Sequence, residues 1–473
     1  MAGGKAMPML ALALTGVLIL ALCFVRTPAM VDYVNHLARM YLLAQPHISH
    51  AYVVTWLPYP NLAMDLAVPA LARLLPVDVA ARIFLALVYG LVVSGAMAVE
   101  RVVKGRDGFA GLCAVLVLFS VPFAWGLINF CFGLGVALWG FAAWLAARDC
   151  PLWQRWLLHC ITVLLLFVSH FFALGLYGVM IGLVEFPALL ALGPAALQPG
   201  LAVADSNAVA PDLPGRLRRA GLMAALMASP LLVLLFFMRA AGGTIGGQGT
   251  DWDFASKAKW PFLFFNLDSP AVATISFLVI VLLVAWAAVH RRLQLDREGA
   301  WIAAGLLLLY LALPRQLFDI AYLDVRVLAA AMLVLPAFMH VRVSWRVVLP
   351  LAVLAVLNGA MMLAGWQAHA RDYDQFRASF NKLEGGTAVL TALAPISSRT
   401  DAALYYAPTL SAPAADMFVP SLYALRGVQP LAPAPEFADL ALARGLDALP
   451  IPLAKLINGR HLPRHARDWQ HRY

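Results

Sequence analysis

Long apolar runs broken by short polar stretches repeat along the chain as far as Trp366. The first, Pro8 to Val25, holds 18 residues without a charge, about the length a helix needs to cross a hydrocarbon core of roughly 30 Å. Lys5 before it also suits a signal peptide, but the run is long for one and others follow, so it reads as a span. Further spans are expected near residues 80–100, 108–124, 129–147, 156–170, 171–193, 219–238, 271–289, 299–313, 325–340 and 347–366, about eleven helices in all. The stretch from Trp156 to Gly193 has almost no loop; a turn at Ser169-His170 is placed there because one long helix would put later basic clusters on the wrong side.

The polar breaks sort into two kinds. Arg101, Lys104 and Arg106 share one break, Arg148 and Arg155 another, then Arg216, Arg218 and Arg219, then Arg291, Arg292 and Arg297, then Arg342 and Arg346. Cytoplasmic connectors collect Lys and Arg, so the amino terminus is expected inside and the carboxy-terminal tail outside. The outer face then receives the first loop (residues 26–76), the turn Trp125 to Asn129, Ser169-His170, a Gly-rich loop from Gly242 to Pro270, the stretch Pro314 to Asp319 with Asp324 and Arg326, and the tail.

Within the first loop, Tyr33 to Gln45 alternates apolar and polar residues at helical spacing, as an amphipathic helix lying at the interface does. Trp56-Leu57-Pro58-Tyr59-Pro60-Asn61 reads as an aromatic turn and Leu62 to Leu75 as a second interfacial helix. The chain divides into a helical domain, 1–366, and a tail, 367–473, in which short apolar segments mix with Pro and Gly. The tail is expected to form a small mixed α/β or irregular domain outside the membrane. The Gly-rich loop has no strand before it, so it reads as a linker or gating loop and not as a phosphate loop.

Composition agrees: 63% of residues are hydrophobic and 12% charged, far from the quarter charged of soluble domains. The fold class is an all-α polytopic membrane protein. Its formal charge of +9 sits in the topology-setting connectors, so it does not argue for nucleic acid. Five cysteines without CxxC spacing support neither a disulfide frame nor a metal site.

The chemistry-bearing candidates lie in the outer breaks. Asp32 follows the first span and opens Asp32-Tyr33-Val34-Asn35-His36-Leu37-Ala38-Arg39. A carboxylate there can take a proton from an acceptor hydroxyl, or it can cap the helix behind it. Asn35, His36 and Arg39 fall three, four and seven residues on, near one face of that helix. Arg39 is a candidate phosphate ligand and His36 a sugar contact or second proton carrier; the alternative is wet contact with headgroups. Asp65 is a candidate second acid, or the partner of a neighbour such as Arg73. His170, between apolar spans, is a candidate phosphate contact, or a neutral ring satisfied at a helix end. Arg315 and Arg326 are candidates to neutralise a leaving phosphate, against ordinary ion pairs with Asp319 and Asp324.

An apolar first span, an acid opening a helix in the first outer loop and an aromatic, Pro-rich turn before the next span resemble the GT-C superfamily of integral-membrane glycosyltransferases. The residues carrying the resemblance are Asp32-Tyr33-Val34-Asn35-His36 and Trp56-Leu57-Pro58-Tyr59-Pro60-Asn61. It implies a GT-C-like fold and transfer of a hexosyl or pentosyl group from a polyprenyl-phosphate donor to a glycan, lipid or protein acceptor on the outer side. It also implies membrane lipids as surroundings and a bacterial inner (plasma) membrane as location. Family members commonly carry two acids side by side or one residue apart; here Tyr33 and Val34 follow Asp32, so no metal ligands are assigned and a divalent metal is left open. Two other classes compete. A transporter or flippase of a lipid-linked substrate would place charges within spans, where only Glu185 stands clearly and no internal repeat is evident. A non-catalytic assembly partner would work through its tail.

Overall fold

The computed structural model describes residues 6–190, 213–242, 250–265, 269–317, 320–341, 345–394, 399–441 and 450–473. Gly243 to Gly249 of the Gly-rich loop, Asp319, Arg342 and the side chains of Arg216 and Arg219 lie outside the described residues.

Helices follow the apolar runs. In chain order they are α1 (Ala6–Ala21), α2 (Tyr33–Ala44), α3 (Ala63–Leu71), α4 (Val77–Lys104), α5 (Ala110–Val117), α6 (Val121–Ala124), α7 (Ile128–Ala146), α8 (Leu152–Ser169), α9 (Phe171–Leu190), α10 (Leu213–Ala240), α11 (Phe254–Leu263), α12 (Pro270–Val289), α13 (Arg297–Ala312), α14 (Leu323–Phe338), α15 (Trp345–Ala368) and α16 (Ala370–Phe380). Among the described residues, seven helices are long and apolar enough to cross a membrane: Ala6–Phe24, Val77–Lys104, Ile128–Ala146, Leu152–Ser169, Ala220–Ala240, Pro270–Val289 and Trp345–Phe380. The layout is that of an all-α polytopic membrane protein. The break at His170, in extended backbone between α8 and α9, falls where the sequence places it.

The expected span 108–124 is instead two short helices, α5 and α6, separated at Leu118–Ser120. Pro122 lies in the first turn of α6, where a missing N–H costs nothing but an incoming helix cannot continue. Val121 donates its backbone N–H to the Phe264 carbonyl at 2.9 Å, so the break is held by the end of α11. The centre of the bundle is α4 against α7. A Cβ on Gly95 would meet Leu138 Cβ at 2.8 Å, so the two backbones approach as closely as a bare glycine permits.

The ends of the bundle differ. At one end lie the basic connectors: Lys104 donates to the Pro336 carbonyl at 2.9 Å and pairs with Glu100, Arg148 pairs with Glu298 at 3.0 Å, and His340 pairs with Asp296 at 2.8 Å. Strand Leu293–Leu295 pairs antiparallel with Met339–Val341 at the same end. At the other end the first loop meets the tail. Strand Tyr52–Val54 pairs antiparallel with Leu431–Pro433, the Tyr52 hydroxyl donates to the Val419 carbonyl at 3.0 Å, and Arg377 reaches Thr27 at 2.7 Å. Beyond α16 the tail is short helical turns and strands of two or three residues. It covers α2, whose Tyr33, Asn35, Arg39 and Met40 are all buried; the polar face expected to lie in wet headgroups is roofed by the tail instead.

Candidate functional site

Asp32 stands at the position before α2, yet its carboxylate makes no capping hydrogen bond. It accepts instead from the Tyr423 hydroxyl at 3.0 Å, a residue 391 positions away in the tail. Two devices hold it there. The Asp32 backbone N–H donates to the Trp125 carbonyl at 2.9 Å; Gly126, at φ 75°, lets this turn press so close that a Cβ would lie 2.9 Å from the Tyr33 nitrogen. Asn35, one turn along α2, clamps the tail by donating to the Ser421 carbonyl at 2.7 Å and accepting from the Tyr423 N–H at 2.8 Å. Asn35 is therefore the positioner of Tyr423.

Burial pushes the Asp32 carboxyl up to about 7, against the opposing effects of the Tyr423 hydrogen bond and the Arg326 charge. His36 packs edge-on to Tyr423 at 5.7 Å; burial and the Arg39 charge hold its pKa well below the usual imidazole value, so it is a neutral ring. Tyr406 meets Tyr423 edge-on, 5.4 Å between centroids and 60° between planes, and Val31 and Tyr406 form a small apolar cluster with Trp125 and Tyr423 beside it.

Arg326 and His170 come to the same place from α14 and the α8–α9 turn. Arg326 Nη1 lies 3.2 Å from His170 Nε2; a guanidinium has no acceptor, so the imidazole accepts. Burial, then the Arg326 charge, lowers the His170 pKa well below its ordinary value, in keeping with a neutral ring. Arg326 also sits 4.8 Å from the centre of Phe130. The His170 turn is tied to the first loop by two asparagines: Asn61 accepts from the Phe171 N–H at 2.8 Å, and Asn129 donates to the Asn61 carbonyl at 2.8 Å. Asp324 does not pair with Arg326. It faces Lys257 at 3.7 Å, while Lys257 caps the end of α13 through the Tyr310 and Leu313 carbonyls, each at 2.7 Å.

Arg315 pairs with Asp253 at 3.2 Å and lies over the Tyr322 ring at 5.3 Å. Tyr322 is an aromatic residue in left-handed backbone, φ 58° and ψ 39°, just before α14; such a conformation costs about 1–3 kcal/mol and persists only where the surroundings impose it. Its ring is wedged against Trp125 at 4.6 Å and Trp260 at 5.6 Å.

Arg39 and Asp65, read as phosphate ligand and second acid, take other roles. They form a two-point ion pair, 2.8 and 2.9 Å, with side chains 3% and 1% exposed, which locks α2 to α3. Each charge is neutralised by the other where water is excluded. Glu185 likewise pairs with Arg155 at 2.7 Å and accepts from Trp144 at 2.9 Å. Among the described residues no three His, Cys, Asp or Glu side chains gather as a metal site requires. Asp32 has tyrosines around it.

Tyr423, Tyr406, Tyr322 and Trp260 escape sequence reading, since none stands in a recognisable motif or near Asp32 in the chain. In comparisons by sequence, no protein-family model and no curated protein matches the chain.

Proposed function

We propose that the chain is a GT-C-like inverting glycosyltransferase of about eleven spans, amino terminus inside and tail outside, that uses a polyprenyl-phosphate sugar. The single observation that carries this reading is Asp32: a buried carboxyl that declines the helix cap open to it and is held by a tail hydroxyl, its pKa pushed by burial up to about 7. A base is most effective when its pKa lies near the working pH. In the proposed step the acceptor oxygen attacks the anomeric carbon, its proton passes to Asp32, and the bond from that carbon to the donor phosphate breaks with its electron pair leaving on phosphate. The negative charge gathering on phosphate needs preorganised donors, and Arg326, whose charge reaches Asp32, supplies one. Arg315 supplies a second beside Tyr322. Asn35, His36 and Tyr423 hold the base, and the tail roofs the acceptor side. Arg39 and Asp65 drop out of the chemistry, their ion pair being structural.

The transport alternative draws little support: Glu185, the one acid standing clearly within a run, is neutralised by Arg155.

The test is Asp32→Asn, with sugar transfer from a polyprenyl-phosphate donor measured in membranes. Loss of about 100-fold or more is expected for removal of a general base. Unchanged turnover with normal expression would remove Asp32 from the chemistry.

A further inference from the structure

Two indole nitrogens in this cluster, Nε1 of Trp125 and Nε1 of Trp260, are buried and have no acceptor among the described residues. An indole N–H can only donate, and a donor buried without a partner costs about 1–3 kcal/mol. Two such costs in one cluster call for an explanation. The pair is not accidental in its placement. Trp125 comes from the turn before α7 and Trp260 from α11, and both rings rest on Tyr322. A third side of the same ring is taken by the Arg315 guanidinium. Tyr322 is the strained residue that opens α14, and Arg326 follows four positions later, its backbone N–H bonded to the Tyr322 carbonyl at 3.2 Å. Three N–H-bearing side chains, one of them charged, thus pack on one tyrosine, and the Arg326 guanidinium, bonded to the Ala321 carbonyl and to His170, starts from the turn of α14 that this tyrosine opens. The acids at hand already have partners: Asp32 accepts from Tyr423, Asp253 from the Ser256 N–H and Arg315, and Asp324 faces Lys257. The two indole N–H groups are still without an acceptor among the described residues, and an oxyanion with several oxygens is the kind of group that supplies one to each.

We propose that Trp125 and Trp260 are phosphate-binding residues, their indole N–H groups donating to the non-bridging oxygens of a phosphate group that Arg315 and Arg326 neutralise. The proposal rests on the transferase reading and adds to it the grip on the donor's phosphate. Tyr322 then serves as the rigid post that holds both indoles in place, which accounts for its strained backbone being tolerated.

The experiment uses the full chain in nanodiscs and measures binding of a short-chain polyprenyl monophosphate, with the matching prenyl alcohol, inorganic phosphate and phosphatidylglycerol vesicles as further probes. Trp125→Phe and Trp260→Phe keep the ring and remove the N–H. Each is expected to weaken polyprenyl monophosphate binding about 5- to 10-fold, as one lost hydrogen bond implies, and to leave the alcohol unchanged. Equal weakening towards inorganic phosphate or towards the vesicles keeps the subsite and identifies a free anion or a bilayer headgroup as its ligand. Unchanged phosphate binding in both variants, or an equal loss for the alcohol, overturns it. Where a variant fails to fold, indole 15N–1H resonances of the wild type serve: those of Trp125 and Trp260 must move on adding the phosphate and stay on adding the alcohol. Asp32→Asn separates the two readings. It should lose transfer and keep lipid-phosphate affinity; full turnover there removes the transferase reading, whereas unmoved Trp variants remove only the subsite.

Discussion

Tyr423 acts on Asp32 across a single hydrogen bond, and its contribution has a definite sign. A hydroxyl donating to a carboxylate stabilises the ionised form, so here it opposes the rise that burial causes. Tyr423→Phe removes that opposition, and the carboxyl pKa climbs further above 7. If ionised Asp32 is the base, the acidic limb of the pH–rate profile moves to higher pH by about one unit, the equivalent of a charge-assisted hydrogen bond of about 1.5 kcal/mol, with the plateau at high pH largely kept. A uniform loss at every pH would instead mark Tyr423 as a packing residue. Nothing in the sequence announces this pairing. Asp32 was legible because an acid directly after an apolar run is conspicuous; a tyrosine in an irregular, Pro-rich tail is not. His170 and Arg326 were legible for the same reason as Asp32, being ionisable groups at the margins of apolar runs, although their mutual contact was not.

Between elements, the decisive feature is the Arg39–Asp65 pair. Helical spacing put Arg39 close to the line of Asp32 and His36, but spacing along one helix says nothing about which neighbour lies opposite, and α3 brings Asp65 there. Burying one charge without the other is costly. Asp65→Asn and Arg39→Met should each lower stability by about 3–5 kcal/mol, while Arg39→Met with Asp65→Leu should recover most of it; thermal unfolding of the purified protein, compared across the cycle, decides. A phosphate-binding Arg39 would give the opposite pattern, with little loss of stability. The helical, polytopic layout was legible, since apolar runs of spanning length admit few alternatives, but among the described residues seven of the expected spans reach that length. The run 108–124 is cut into α5 and α6, where Ser120-Val121-Pro122 already carries a helix-start signal that the unbroken hydropathy hid, and α11 stands inside the stretch read as a Gly-rich loop.

For the whole molecule, the two ends segregate by chemistry, and the orientation can be tested with residues already exposed. Cys150 is exposed in a basic connector, and His50 is exposed where it pairs with Asp416 of the tail. With Cys150 as the sole cysteine, a membrane-impermeant maleimide should label only opened cells; with His50→Cys as the sole cysteine, it should label intact ones. The reverse result would turn the molecule over and put Asp32 on the cytoplasmic side. The meeting of the first loop with the tail lay beyond sequence reading, because it depends on strand pairing between Tyr52–Val54 and Leu431–Pro433, segments of three ordinary residues with no pattern of their own.

The helical stretch Trp345–Phe380 runs 36 residues, about 54 Å at 1.5 Å per residue, against a hydrocarbon layer of roughly 30 Å. The stretch is two helices, α15 and α16, that meet at His369, and α16 ties back to the first loop where Arg377 reaches Thr27. Under the proposed reading, the surplus length is a spacer that sets the tail, and with it Tyr423, at a fixed height over Asp32.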